Sequence, residues 1–170
     1  MKMAMAIHYR FMISSKETLL KMLKEVKDIA VKLGMKILQD TETCIVIHTH
    51  PDCEEDECLN LDFQRYADVK KKGKKNWDYE AESLKDFRVI WDDDFVCSSC
   101  TKTEHAGYKI HTLLAEILRK VASRCALAYV EDETGYYETR DIEKTTENFD
   151  DTSKVIGRIA GELKRDFRQG

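Results

Sequence analysis

Proline is almost missing from this 170-residue chain, with Pro51 the only one, and glycine is sparse at seven. Those two scarcities exclude collagen-like, proline-rich and glycine-rich low-complexity architectures. No apolar run approaches the roughly 20 residues a membrane-crossing helix needs, and the mean hydropathy is −0.52. An excess of positive charge is also missing: 28 Lys plus Arg stand against 32 Asp plus Glu, a formal net charge of −4. That balance argues against a generally basic nucleic-acid binder. There is no Gly-x-Ser-x-Gly, no Walker-type loop and no dinucleotide fingerprint. Met1–Met5 lead straight into an alternating strand pattern, which reads as no signal peptide and a cytoplasmic location. The six cysteines are then expected as reduced thiols, not a disulfide framework.

What is present suffices for one core: 42% of residues are apolar and 35% charged. Met5, Ile7, Tyr9, Phe11 and Ile13 alternate as in a half-buried strand. Ser14 with Glu17 reads as a capping box, opening a helix that carries Leu19, Leu23, Val26, Ala30 and Leu33 on one face and stops at Gly34. Strands are predicted over 36–39, 44–50, about Leu59–Phe63, 87–91 and 95–101. A second amphipathic helix carries Ile110, Leu113, Leu114, Ile117 and Val121. Residues 126–131 and 136–139 read as a hairpin around Glu133-Thr134-Gly135, followed by helical segments over 141–149 and 153–167. A repeated Thr-Leu-Leu helix opening and Asp/Glu/Thr turn suggest two β-α-β-β units. The expectation is a single α+β domain over residues 1–170. It has one antiparallel sheet with both helices on one face, as in TATA-binding-protein-like or ferredoxin-like duplications, plus a C-terminal helical segment.

Two groups of residues carry chemistry. Cys97 and Cys100 form a CxxC, and His48, His50, Cys53 and Cys58 lie upstream. A tetrahedral zinc site takes four such ligands, so Cys97 and Cys100 with Cys53 and Cys58, or with the two histidines, form one candidate set. Against it, a straight strand over 95–101 would point Cys97 and Cys100 to opposite faces. Cys97 and Cys44 then become small core residues.

The second group is Lys102-Thr103-x-x-Ala106-Gly107-x-x-x-His111, with Asp132-Glu133-x-x-Tyr136-Tyr137-Glu138-Thr139-Arg140-Asp141. Lys102 and the helix start after Gly107 suit an anion, and His111 is the candidate acid or base. Tyr137 and Arg140 would complete the rim of such a pocket. Asp141 also suits a helix N-cap. These two motifs, with His50-Pro51-Asp52-Cys53-Glu54 upstream, resemble an uncharacterised family of hypothetical proteins over the last two-thirds of the chain. The resemblance implies a shared fold and site and carries no reaction.

The expected function is therefore a binding or interaction module for a small molecule or protein. The alternative is an enzyme using His111, with zinc held by Cys97, Cys100 and a second Cys/His pair. Lys70–Lys75 with Trp77 and Tyr79 reads as a solvated charged loop, not a nucleic-acid grip, and neither nucleic acid nor membrane is expected as a partner.

Overall fold

The computed structural model describes residues 5–71 and 90–149. The helix expected over 153–167 and the lysine run beyond Lys71, with Trp77 and Tyr79, lie outside these residues. So does most of the strand expected over 87–91.

The chain is α+β with two antiparallel sheets. Strand β1 (Ala6–Ile13) is followed by helix α1 (Lys16–Lys32), then β2 (Ile37–Asp40), β3 (Cys44–Ile47) and β4 (Leu59–Asp62). A short β5 (Gln64–Arg65) runs into α2 (Tyr66–Lys71). Next come β6 (Phe95–Lys102), α3 (Tyr108–Arg124), β7 (Leu127–Asp132) and a single turn, α4 (Tyr136–Thr139). Residues 142–149 are helical. One sheet has the order β5-β6-β1-β7 and the other β2-β3-β4.

The alternation of β1 sends Ile7, Tyr9 and Phe11 to one face, where they meet the apolar stripes of α1 and α3 in one core. Leu19, Met22, Leu23 and Val26 come from α1, and Leu114, Leu118 and Val121 from α3. Ile45, Ile47, Leu59 and Leu61 bring the second sheet into the same core. The opposite face of β1 and β6 is closed by a smaller cluster of Met12, Val96, Val69 and Leu127.

Three sequence expectations change. The strands split into two sheets because β1 takes its partners from the second half of the chain and not from β2 or β3: Ala6 pairs with Lys102 and Ile7 with Asp132. The 136–139 segment is a helical turn, not the return strand of a hairpin, so the second β-α-β-β unit lacks its last strand among the described residues. Gly135 enters the left-handed region at φ 76°, and the Asp132 carboxylate holds the Thr134 and Tyr137 N–H groups at 2.9 and 3.0 Å. That bends the chain off the β7 line. At the first helix the cap is Ser15, one residue later than expected. Its hydroxyl accepts from Thr18 N–H at 3.3 Å, and Glu17 instead pairs with Lys21.

Tyr9 ties the two sheets together. Its ring is fully buried, and burial pushes its hydroxyl pKa up to about 12. The hydroxyl donates to Asn60 O and accepts from Asn60 N–H, both at 3.1 Å, and lies 3.0 Å from Thr101 Oγ1. Thr101 in turn donates to Cys58 O at 3.0 Å. Tyr9→Phe keeps the ring but strands the Asn60 backbone groups in the interior. We expect a loss of about 1–3 kcal/mol in urea unfolding, with the slope of the transition unchanged.

Candidate functional site

The loop between β3 and β4 gathers the metal-ligating side chains. Strand β3 ends at Ile47, which puts His48 at the loop entrance, and Pro51 starts the turn. A 3-10 turn, Glu55–Glu57, then doubles the chain back. Glu54 N–H donates to the Glu57 carboxylate at 2.9 Å, and Glu57 N–H to the Glu54 backbone carbonyl at 3.0 Å, so the turn is held from both ends. Thr49 Oγ1 holds Glu57 O at 2.8 Å across the loop. The turn brings Cys53 Sγ and Cys58 Sγ to 3.2 Å, both 3.3 Å from Glu54 O. With a ring nitrogen of His48, the ligand atoms of the three residues all lie within 4.8 Å of one another. Cys58 is buried, and burial together with the neighbouring Cys53 raises its thiol pKa. Two thiols and an imidazole are a borderline-soft donor set suited to zinc.

The four-cysteine set is not assembled, because β6 is a regular strand. Cys97 faces inward, 1% exposed, and burial raises its pKa. Cys100 faces the other way, 3.9 Å from His8 Nε2. Cys44 and Cys125 are likewise raised by burial, to about 11 and about 12. Among the described residues, His48, Cys53 and Cys58 are the group of three or more such side chains whose ligand atoms could share one ion. The local signal for it was a histidine leading into a proline turn, then two cysteines separated by one acidic turn.

Beside this loop lies an open cleft of about 380 Å³. Its acidic wall is Asp52, Glu54, Asp56, Glu57 and Glu104, and His50, His105 and Lys102 complete it. Lys102 is bound to Asp56 at 2.6 Å. The hydrogen bond and charge of Lys102 hold the Asp56 carboxyl below the usual carboxylate range.

The pocket expected around Lys102, Gly107, His111, Tyr137 and Arg140 is dispersed. Lys102 lines the acidic cleft, but His111 is sealed inside at 0% exposure. Its Nδ1 lies 2.7 Å from Thr103 Oγ1, and its Nε2 lies 2.9 Å from Asp132 Oδ1 and 3.0 Å from Thr134 Oγ1. Phe149 packs edge-on against its ring at 5.2 Å. Both ring nitrogens are engaged, so His111 presents no free atom to a substrate. Thr103, Asp132 and Thr134, its buried partners, went unnoticed as a network in the sequence. Position 111 precedes Leu114, Ala115 and Leu118 by three, four and seven residues, which does mark it as a core-facing site.

Tyr137 and Arg140 clasp the outer side of α3. The Arg119 guanidinium sits 4.8 Å over the Tyr137 ring, and Arg140 pairs with Glu116 at 3.1 Å. Gly107 caps α3 at φ 88°, ψ 168°, a region essentially reserved for glycine. An added Cβ would meet nothing within 4 Å there, so the constraint is the backbone itself. Gly107→Ala should cost about 1–3 kcal/mol in a thermal melt through strain alone. Searches of protein-family models, curated proteins and solved structures find no match to this chain.

Proposed function

We propose that this chain is a zinc-binding module whose ion is held by His48, Cys53 and Cys58. One observation carries the reading: the three ligand atoms converge within 4.8 Å on a loop braced from several sides. Tetrahedral zinc with bonds of about 2.0–2.3 Å has ligand–ligand edges of about 3.3–3.8 Å, so the cluster needs only a small adjustment to take the ion. Metal binding would displace the thiol protons, since the ligating form is the thiolate. Three protein ligands leave a fourth position for water or an incoming group, and that vacancy is what would make the module a binding site. The acidic cleft alongside would favour cationic or metal-seeking partners over nucleic acid.

The test is elemental analysis of the purified, reduced full chain, with a thiol count before and after chelation. The expected result is zinc bound at the thiolate loop, with Cys53 and Cys58 unreactive until a chelator removes it. A zinc-free protein in which oxidation removes these two thiols together would instead make them a dithiol redox pair and overturn the zinc reading.

A further inference from the structure

The acidic cleft contains a contact that its own residues leave unsatisfied. Glu57 is 6% exposed, and only one of its carboxylate oxygens, Oε2, is used, accepting from Glu54 N–H at 2.9 Å. Oε1 is buried with no hydrogen-bond partner among the described residues, and the same holds for His50 Nε2. The two atoms are 3.4 Å apart, close enough for an ion pair but outside hydrogen-bond geometry. A buried carboxylate oxygen left unpaired is costly, so the pair calls for a third species between its members.

The separation selects that species. A water with hydrogen-bond arms of about 2.8 Å would span this gap at an angle of only about 75°, far from its preferred geometry. A metal ion with bonds of about 2.1 Å to N and O spans it at about 108°, close to the tetrahedral angle. His50 and Glu57 both belong to the cleft wall, with the two atoms buried just behind it, and Asp52 and Glu54 on the same wall add negative potential. Imidazole plus carboxylate is a donor pair that zinc accepts.

We infer that His50 Nε2 and Glu57 Oε1 form a second divalent-cation site in the wall of the acidic cleft, distinct from the thiol loop. The inference does not rest on the zinc reading of His48, Cys53 and Cys58, since no ligand is shared.

The probe is Zn²⁺ itself, supplied by equilibrium dialysis to the reduced, chelator-treated full chain and counted by elemental analysis. Wild type is expected to hold one equivalent more than Glu57→Gln or His50→Gln, with affinity at that site reduced at least about tenfold in either variant. Glu57→Gln keeps an oxygen able to accept from Glu54 N–H, so the turn survives. Should it nonetheless fail to fold, His50→Gln decides. Cys53→Ser/Cys58→Ser should retain the cleft ion. Equal uptake by wild type and both cleft variants would overturn the inference, as would loss of all zinc in the double serine variant. If the thiol loop binds nothing, wild type and the double serine variant each hold one zinc and Glu57→Gln holds none, so the two proposals fail separately.

Discussion

Asp132→Ala should destabilise the fold by about 3–5 kcal/mol, because it strips several buried donors of one shared acceptor. The Asp132 side chain is fully buried and works as a hub. Its Oδ1 accepts from His111 Nε2 at 2.9 Å, Thr134 N–H at 2.9 Å and the Thr134 hydroxyl at 2.8 Å, while Oδ2 accepts from Tyr137 N–H at 3.0 Å. On the far side of the imidazole, Thr103 Oγ1 lies 2.7 Å from Nδ1 and 3.2 Å from Met5 O. Both ring nitrogens are thus held by buried oxygen partners, one of them the Asp132 carboxylate. Deleting the carboxylate leaves the buried His111 Nε2 and the Thr134 and Tyr137 N–H groups without their acceptor. For a domain of this size the loss corresponds to a fall of about 6–20 °C in melting temperature. His111→Ala should fail in the same way, as a stability defect, which separates it from a ligand-contacting residue. A melting temperature within about 2 °C of wild type for Asp132→Ala would show that the hub contributes little.

The same carboxylate sets an acid limit. Burial alone would raise the Asp132 pKa, but the hydrogen bond and charge of His111, with the Thr134 donors, outweigh it and hold the carboxyl below its usual range. A depressed folded-state pKa means the stabilisation is complete above the unfolded carboxylate pKa, about 4, and is lost as pH falls through the lower folded value. Urea unfolding followed from pH 6 downward should therefore show the gap between wild type and Asp132→Asn shrinking below about pH 4. A gap that stays constant to pH 2 would detach the acid sensitivity from this residue.

How far the sequence carried depends on how local each feature is. Helices α1 and α3 were legible because their apolar stripes repeat every three or four residues, and the left-handed stop at Gly34 is a one-residue signal. The opposed faces of Cys97 and Cys100 followed from strand periodicity alone. The split into two sheets was hidden, since nothing near Ile7 encodes its pairing with Thr101 and Asp132. Tyr136 and Tyr137 misled because aromatic pairs favour strands, whereas a side chain–backbone contact from Asp132 decided the turn. His111 misled differently. Its position on α3 was visible, but its partners come from the segment after β6 and from the end of β7, so whether it faced a cleft or a core was a tertiary question. The cysteine loop was half legible: Cys53, Cys58 and His48 were candidates, and only the 3-10 turn at Glu55–Glu57 selects them from the larger set.

Removing any one of those three side chains should weaken zinc binding at the loop by about a hundred- to a thousandfold. Structural zinc sites yield about 10–16 kcal/mol over four ligands, or about 2.5–4 kcal/mol for each. Cys53→Ser, Cys58→Ser and His48→Ala should therefore each abolish most of the rise in melting temperature that zinc confers on the wild type. That rise follows ligand binding to the folded state and reaches about 2.7 kcal/mol at a hundredfold excess over Kd. Without zinc, the serine variants should melt close to the zinc-free wild type, because the loop is braced independently by Thr49 on Glu57 O, Thr101 on Cys58 O and Lys102 on Asp56. Cys97→Ser supplies the contrast. It puts a hydroxyl into the core beside Phe95 and should lower the melting temperature with and without zinc alike while leaving the zinc-induced rise intact. Cys100→Ser, on the outer face of β6, should change neither quantity. If the zinc-induced rise survives Cys53→Ser and Cys58→Ser but disappears in Cys97→Ser or Cys100→Ser, the thiolates that bind are those of the CxxC, and the loop between β3 and β4 is not the metal site.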